Sequence, residues 1–115
     1  MRKTAVMAYD AELADRVRAH IEQEAGLTEK RMFGGLAFLI NGNMAVSASS
    51  KGGLLLRVDP AETERLLVDA HASPFVMRGR EMTGWLYVDA NGQSDDKLEQ
   101  WIDRGVGYAR SLPPK

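Results

Sequence analysis

Cysteine is missing from this chain of 115 residues. That excludes disulfides, thiolate nucleophiles and cysteine-based zinc or iron–sulfur sites. Histidine is scarce: His20 and His71 stand about fifty positions apart, so the chain has no His-x-x-x-His pair for a metal. Net charge is small as well. Fifteen basic and 16 acidic residues leave a formal −1. That balance argues against holding bare nucleic acid by charge alone, because lysine and arginine on phosphate supply most non-specific affinity. A local basic patch stays open. No apolar run approaches the roughly 20 residues that span a bilayer. Met1 to Ala8 carries basic residues but too few apolar ones for a secretory signal. Residues 1–8 are expected to form a loosely held leader, and the protein is expected in the cytoplasm, with no membrane contact.

What is present is one core's worth of apolar residues, 44% of the chain, expected to fold as a single domain over 1–115. The organising stretch is Lys30 to Val58. Asn41-Gly42 between two apolar runs signals a type I′ hairpin, in which both central residues need positive φ. A second turn, Ser50-Lys51-Gly52-Gly53, leads into Leu54 to Val58. Three consecutive strands follow from this, the first running unbroken from Lys30 to Ile40. In register, Met32, Gly34, Leu36, Phe38 and Ile40 point one way; Phe33, Gly35, Ala37 and Leu39 point the other. Both sets are apolar, so neither face of the sheet is solvated. One face should carry helices and the other a second subunit. Paired glycines inside a strand predict a bulge or the close approach of another backbone.

Asp10 predicts the cap of a helix running to about Ala25 with Gly26 as its C′ residue, and Leu13, Val17 and Ile21 recur at its apolar spacing. That helix is acidic, through Asp10, Glu12, Asp15, Glu22 and Glu24. It reads as a solvated outer face or as the seat of a basic partner. Asp59-Pro60-Ala61-Glu62 starts a second helix that should reach Ala70, with His71 at its end. Phe75 to Met77 and Met82 to Val88 read as strands flanking a turn at Arg78 to Glu81. Trp85 and Tyr87 share one face of the later strand, with Trp85 expected in the core. Ser94 or Asp95 caps a last helix carrying Leu98, Trp101, Ile102, Gly105, Tyr108 and Leu112. The order α-β-β-β-α-β-β-α indicates an α+β fold: two layers, with the helices packed on one face of an antiparallel sheet.

Little chemistry is written along the chain. Ser47 or Ser49 with either histidine and any aspartate makes a triad only on paper, since no serine sits in a nucleophile-elbow pattern. Asp95-Asp96 falls in a helix's first turn, where capping explains it. Gly34-Gly35 opens no helix and lacks the Gly-x-Gly-x-x-Gly and Lys-Ser/Thr context of a phosphate loop. No cofactor and no enzymatic activity are therefore expected. The methionines Met32, Met44, Met77 and Met82 read as adaptable core filler or as a contact surface. Lys30, Arg31, Lys51, Arg57, Arg78 and Arg80 are either scattered strand-end charges or, if they converge, a basic patch able to hold carboxylate or phosphate.

Met7-Ala8-Tyr9-Asp10, then Lys30-Arg31-Met32-Phe33-Gly34-Gly35-Leu36-Ala37-Phe38, then Asn41-Gly42-Asn43-Met44, resemble the N-terminal domain of TfoX/Sxy-type proteins, regulators linked to natural competence. Gly84 to Val88 and the Trp101 helix ending at Leu112-Pro113-Pro114-Lys115 fit the same pattern. The resemblance implies a small α+β domain without enzymatic role, acting through protein contacts in transcriptional regulation. It supplies no catalytic residues. In full-length regulators a helical C-terminal domain follows; this chain stops at Lys115, so a stand-alone domain is expected. The expected working surface comprises Arg31, Phe33, Gly34, Gly35, Arg57, Arg78 and Arg80. It would serve a protein partner such as transcription machinery, in a homodimer, without sequence-specific nucleic-acid binding. The other expectation is a small-molecule or anion binder using the Gly34-Gly35 backbone and the nearby arginines.

Overall fold

The computed structural model describes residues 10–32, 34–49 and 51–115. The expected leader and Phe33 therefore lie outside the described residues. Helix α1 (Ala11–Ile21) is followed by four strands, β1 (Leu27–Met32), β2 (Gly35–Ile40), β3 (Asn43–Ser49) and β4 (Gly53–Arg57). A 3-10 turn (Pro60–Glu62) and the short helix α2 (Thr63–Leu66) connect to β5 (Ala72–Met77) and β6 (Arg80–Asp89), and α3 (Asp95–Ser111) closes the chain. The six strands form one sheet in the order β1-β2-β3-β4-β6-β5, and every neighbouring pair is antiparallel. The fold is α+β with helices on the sheet.

Local chemistry accounts for most boundaries. Asp10 accepts a hydrogen bond from the Leu13 N–H at 3.0 Å, and Ser94 accepts one from the Lys97 N–H at 3.2 Å. Each satisfies an orphan donor at a helix start. The expected type I′ turn forms at Asn41-Gly42, with φ of 53° and 85°. A second such turn, Arg78-Gly79, has φ of 55° and 77° and joins β5 to β6.

Four expectations are corrected. The strand foreseen from Lys30 to Ile40 is two antiparallel strands: Met32 pairs with Gly35, and Gly34, just before the second, has φ +72°. The glycines that were to sit in register thus have separate tasks. Gly34 turns the chain. Gly35 permits the foreseen close approach, since a Cβ there would lie 2.4 Å from the Ala48 carbonyl oxygen. The first helix stops at Ile21 rather than near Ala25. Gly26, instead of terminating it, faces Asn41, whose Oδ1 would be 2.1 Å from an added Cβ. The helix foreseen from Asp59 to Ala70 ends at Leu66, because Asp69 turns back to accept the His71 N–H at 2.8 Å.

The fourth correction is the face on which Trp85 sits. The core between sheet and helices takes Phe38, Ile40, Val46, Leu54, Leu56, Leu86 and Val88 from the strands. Leu13, Val17, Ile21, Leu98, Trp101, Ile102 and Val106 come from α1 and α3. Leu86 and Val88 point into it, so Trp85 points away, and Trp101 is the tryptophan of the main core. Period-2 alternation fixes which residues pair on a face, but not which face the helices cover. A bulge at Phe38/Leu39 on the β2–β3 ladder lets both Ala45 and Val46 reach the core. α3 lies close enough to β3 that a Cβ on Gly105 would meet the Ala45 carbonyl oxygen at 2.5 Å.

Three acidic residues of the first helix region are engaged within the molecule: Asp10 as the cap, Asp15 and Glu24 in ion pairs. Arg18 bonds Glu29 (2.7 Å) and Asp15 (2.7 Å), Arg110 holds Glu24 (2.7 Å), and Arg16 pairs with Asp95. This favours the solvated-face reading of that helix.

Candidate functional site

Among the described residues the second face of the sheet carries no helix, yet it is not polar. Ala37, Met44 and Leu55 are buried there, with Met32, Leu39, Phe75 and Trp85 packed around them. This bears out the expectation that both faces are apolar. The alternation that sends Phe38, Leu56 and Leu86 to the helices sends Leu39, Leu55 and Trp85 the other way.

Two regions divide this face along the strands. Toward the β2–β3 turn, Leu39 pairs with Met44 and Arg57 with Trp85. The Arg57 guanidinium lies 5.6 Å from the Trp85 ring centre and 5.8 Å from that of Tyr108, a geometry that favours a cation over an aromatic face. Toward the opposite end, Ala37, Ser47, Leu55, Tyr87 and Ser73 form one lateral row across β2, β3, β4, β6 and β5. A pocket of about 480 Å³ opens over that row, its other walls coming from Gly34, Ser49, Lys51, Pro74, Phe75 and Val76.

The polar groups of the pocket are held by their neighbours. The Tyr87 hydroxyl donates to the Lys51 carbonyl oxygen at 3.2 Å. Ser49 Oγ accepts the Lys51 N–H at 3.0 Å, and Ser73 Oγ donates to the Tyr87 carbonyl oxygen at 3.4 Å. Burial and the nearby Asp89 carboxylate push the Tyr87 phenol above its ordinary pKa, against a smaller opposing effect of Ser49. It therefore stays a protonated donor at neutral pH.

The described residues of the expected working surface are not gathered in one place. Arg31 lies on β1 and Arg78 in the β5–β6 turn, at the two opposite edges of the sheet. Arg80 begins β6, and Arg57 sits at the far end of β4 over Trp85. Gly34 and Gly35 meet at the start of β2, and Gly34 reaches the pocket. The cation there is Lys51. The pocket was hidden because its walls come from four strands and two turns, and no local window contains them. The one available signal was the row of alternate residues on each strand.

The paper triads are dispersed. His20 faces Asp103 at 2.8 Å in the helix layer, while Ser47 lies beneath the opposite face of the sheet. Among the described residues, no group of three His, Cys, Asp or Glu side chains is placed to hold a metal, and no helix is long and apolar enough to cross a membrane. An open groove between α1 and α3 is lined by Arg16, His20, Asp95 and Glu99, but its charges already pair with one another or with Asp103.

Compared with known proteins, the chain matches the family model described as TfoX N-terminal domain over residues 19–109. Neither a curated protein nor a solved structure matches it.

Proposed function

Since the chain belongs to the TfoX N-terminal domain family, we propose that it is a non-enzymatic regulatory domain that acts in the cytoplasm through protein contacts. Its partner is a component of the transcription machinery, and it works as a homodimer. The family is not known for enzymes. The observation that carries the reading is the helix-free face. Met32, Leu39, Phe75 and Trp85 leave apolar surface on a sheet layer that its own helices do not cover, and such surfaces mark sites of association. The contact lies at the Leu39–Met44–Trp85 end, where Arg57 adds a charged rim.

Sedimentation velocity over a concentration series tests the dimer. The expected result is a dimer that dissociates in Leu39→Asp; a wild-type monomer at every concentration contradicts it. Binding of the purified domain to the host's purified RNA polymerase and associated activators tests the partner. Saturable binding that Trp85→Glu abolishes supports the contact; no binding, or binding indifferent to that change, contradicts it.

A further inference from the structure

The pocket at the other end of the helix-free face has the make-up of a small-molecule site. Its roughly 480 Å³ falls within the 300–1,000 Å³ usual for ligand pockets, which are mostly apolar with a few placed polar groups. Leu55, Pro74, Phe75 and Val76 supply apolar walls, and Val76 remains 54% exposed at the rim. Polar groups come from Ser47, Ser49, Ser73 and Tyr87. Lys51 is the one charged side chain among the described lining residues.

Ser47 is the most deeply buried polar residue of the lining. It is 1% exposed and lies in the middle of β3, between Ala37 and Leu55. The hydroxyl faces the pocket, where an occupant can reach it.

Two glycines shape the same space. A Cβ on Gly35 would crowd Ser47 Oγ at 2.8 Å, and a Cβ on Gly53 would lie 2.5 Å from the Tyr87 hydroxyl oxygen. Their missing side chains let Ser47 and Tyr87 occupy their places at the pocket.

We propose that this pocket binds a small amphipathic carboxylic acid, its carboxylate between Lys51 and the hydroxyls of Ser47 and Ser49, its apolar body against Leu55, Pro74 and Phe75. A single lysine suits one negative charge, and the apolar walls call for an apolar body rather than a bare anion. The arginines first expected to hold an anion take no part. The site shares Phe75 with the apolar surface of the helix-free face but none of Leu39, Met44 and Trp85, where the proposed contact lies, so one can fail without the other.

Octanoate is the probe, with octanamide and inorganic phosphate as controls, followed by amide chemical shifts of the labelled protein. Octanoate at about 1 mM, a concentration suited to a weak site, is expected to shift Ser47, Ser49, Leu55 and Tyr87 and to raise the melting temperature. Octanamide should bind at least about tenfold more weakly, and phosphate should leave these residues unmoved. Lys51→Gln, an exposed change that leaves the core intact, should lower octanoate affinity by at least about tenfold and bring it level with the amide. Ser47→Ala should weaken octanoate without lowering the melting temperature of the free protein. Absence of shifts at these residues, equal binding of acid and amide, the same shifts with phosphate, or unchanged affinity in Lys51→Gln would each overturn the proposal.

Discussion

The two faces of this sheet draw on the same strands and nearly the same residue types, yet they have different fates. On one face Phe38, Leu56 and Leu86 are wholly enclosed by α1 and α3. On the other, Leu39, Leu55 and Trp85 come from adjacent positions in the same strands, and Leu39 and Trp85 stay half-buried. Apolar composition therefore does not separate core from contact surface. What separates them is whether the chain has helices to spend on that face, and α1 and α3 together cover only one. On the proposed reading, residues left over serve association or ligand binding, so their substitution should disturb function before stability.

The sharpest break in this comparison comes from truncating one large side chain on each face. Phe38→Ala should cost about 3–5 kcal/mol, because the site is enclosed and leaves a cavity. Trp85→Ala, although it removes more atoms, should cost less than about 2 kcal/mol, since its space opens to solvent. Chemical denaturation of both variants reads the difference. Equal losses would mean that the second face is also closed core.

A smaller effect is expected where backbone closeness, rather than burial, sets the limit. Gly35→Ala should cost about 1–3 kcal/mol, because the added methyl meets a carbonyl oxygen that the β2–β3 ladder cannot easily move. Gly34→Ala adds a methyl to open space and pays only for the positive φ, about 1 kcal/mol. Thermal unfolding of the two neighbours should rank them in that order, and the reverse order would contradict the separate tasks assigned to them.

The weakest expected effect concerns pH, and it belongs to the helix-covered side. The Arg18 hydrogen bond holds the Glu29 carboxyl below its ordinary pKa. The His71 backbone N–H does the same for Asp69. A carboxyl depressed in the folded state contributes stability above its unfolded pKa, near 4, and loses it as pH falls through the folded value. Stability should therefore be level from neutral pH to about 5 and decline below about 4. Glu29→Gln should flatten part of that decline, as urea titrations at stepped pH would reveal; an unchanged slope would mean that the pair is too exposed to matter.

The sequence disclosed much of this architecture through local chemistry. Asn41-Gly42 has a single turn type that suits it, Asp10 and Ser94 are ordinary helix caps, and the alternation in β6 set Trp85 apart from Leu86. Other features depended on distant parts of the chain. The reversal at Gly34 was masked because the apolar pattern runs on from Met32 through Leu36 without a polar break. The early end of the second helix reflects Asp69 bonding His71, a competition that helix periodicity does not register. The assignment of Trp85 to the outer face required knowing where α3 lands. The pocket required the whole strand order, since Ser47, Lys51, Phe75 and Tyr87 become neighbours only once β4 pairs with β6 and β6 with β5.

The account rests on the helix-free face being a contact surface, and the mass of the protein in solution tests this most directly. Light scattering on wild type and Leu39→Asp, with circular dichroism to verify that both are folded, should give twice the mass of one chain for the first and a single chain for the second. A folded wild type that scatters as one chain throughout, or a Leu39→Asp variant that still scatters as two, would contradict the account.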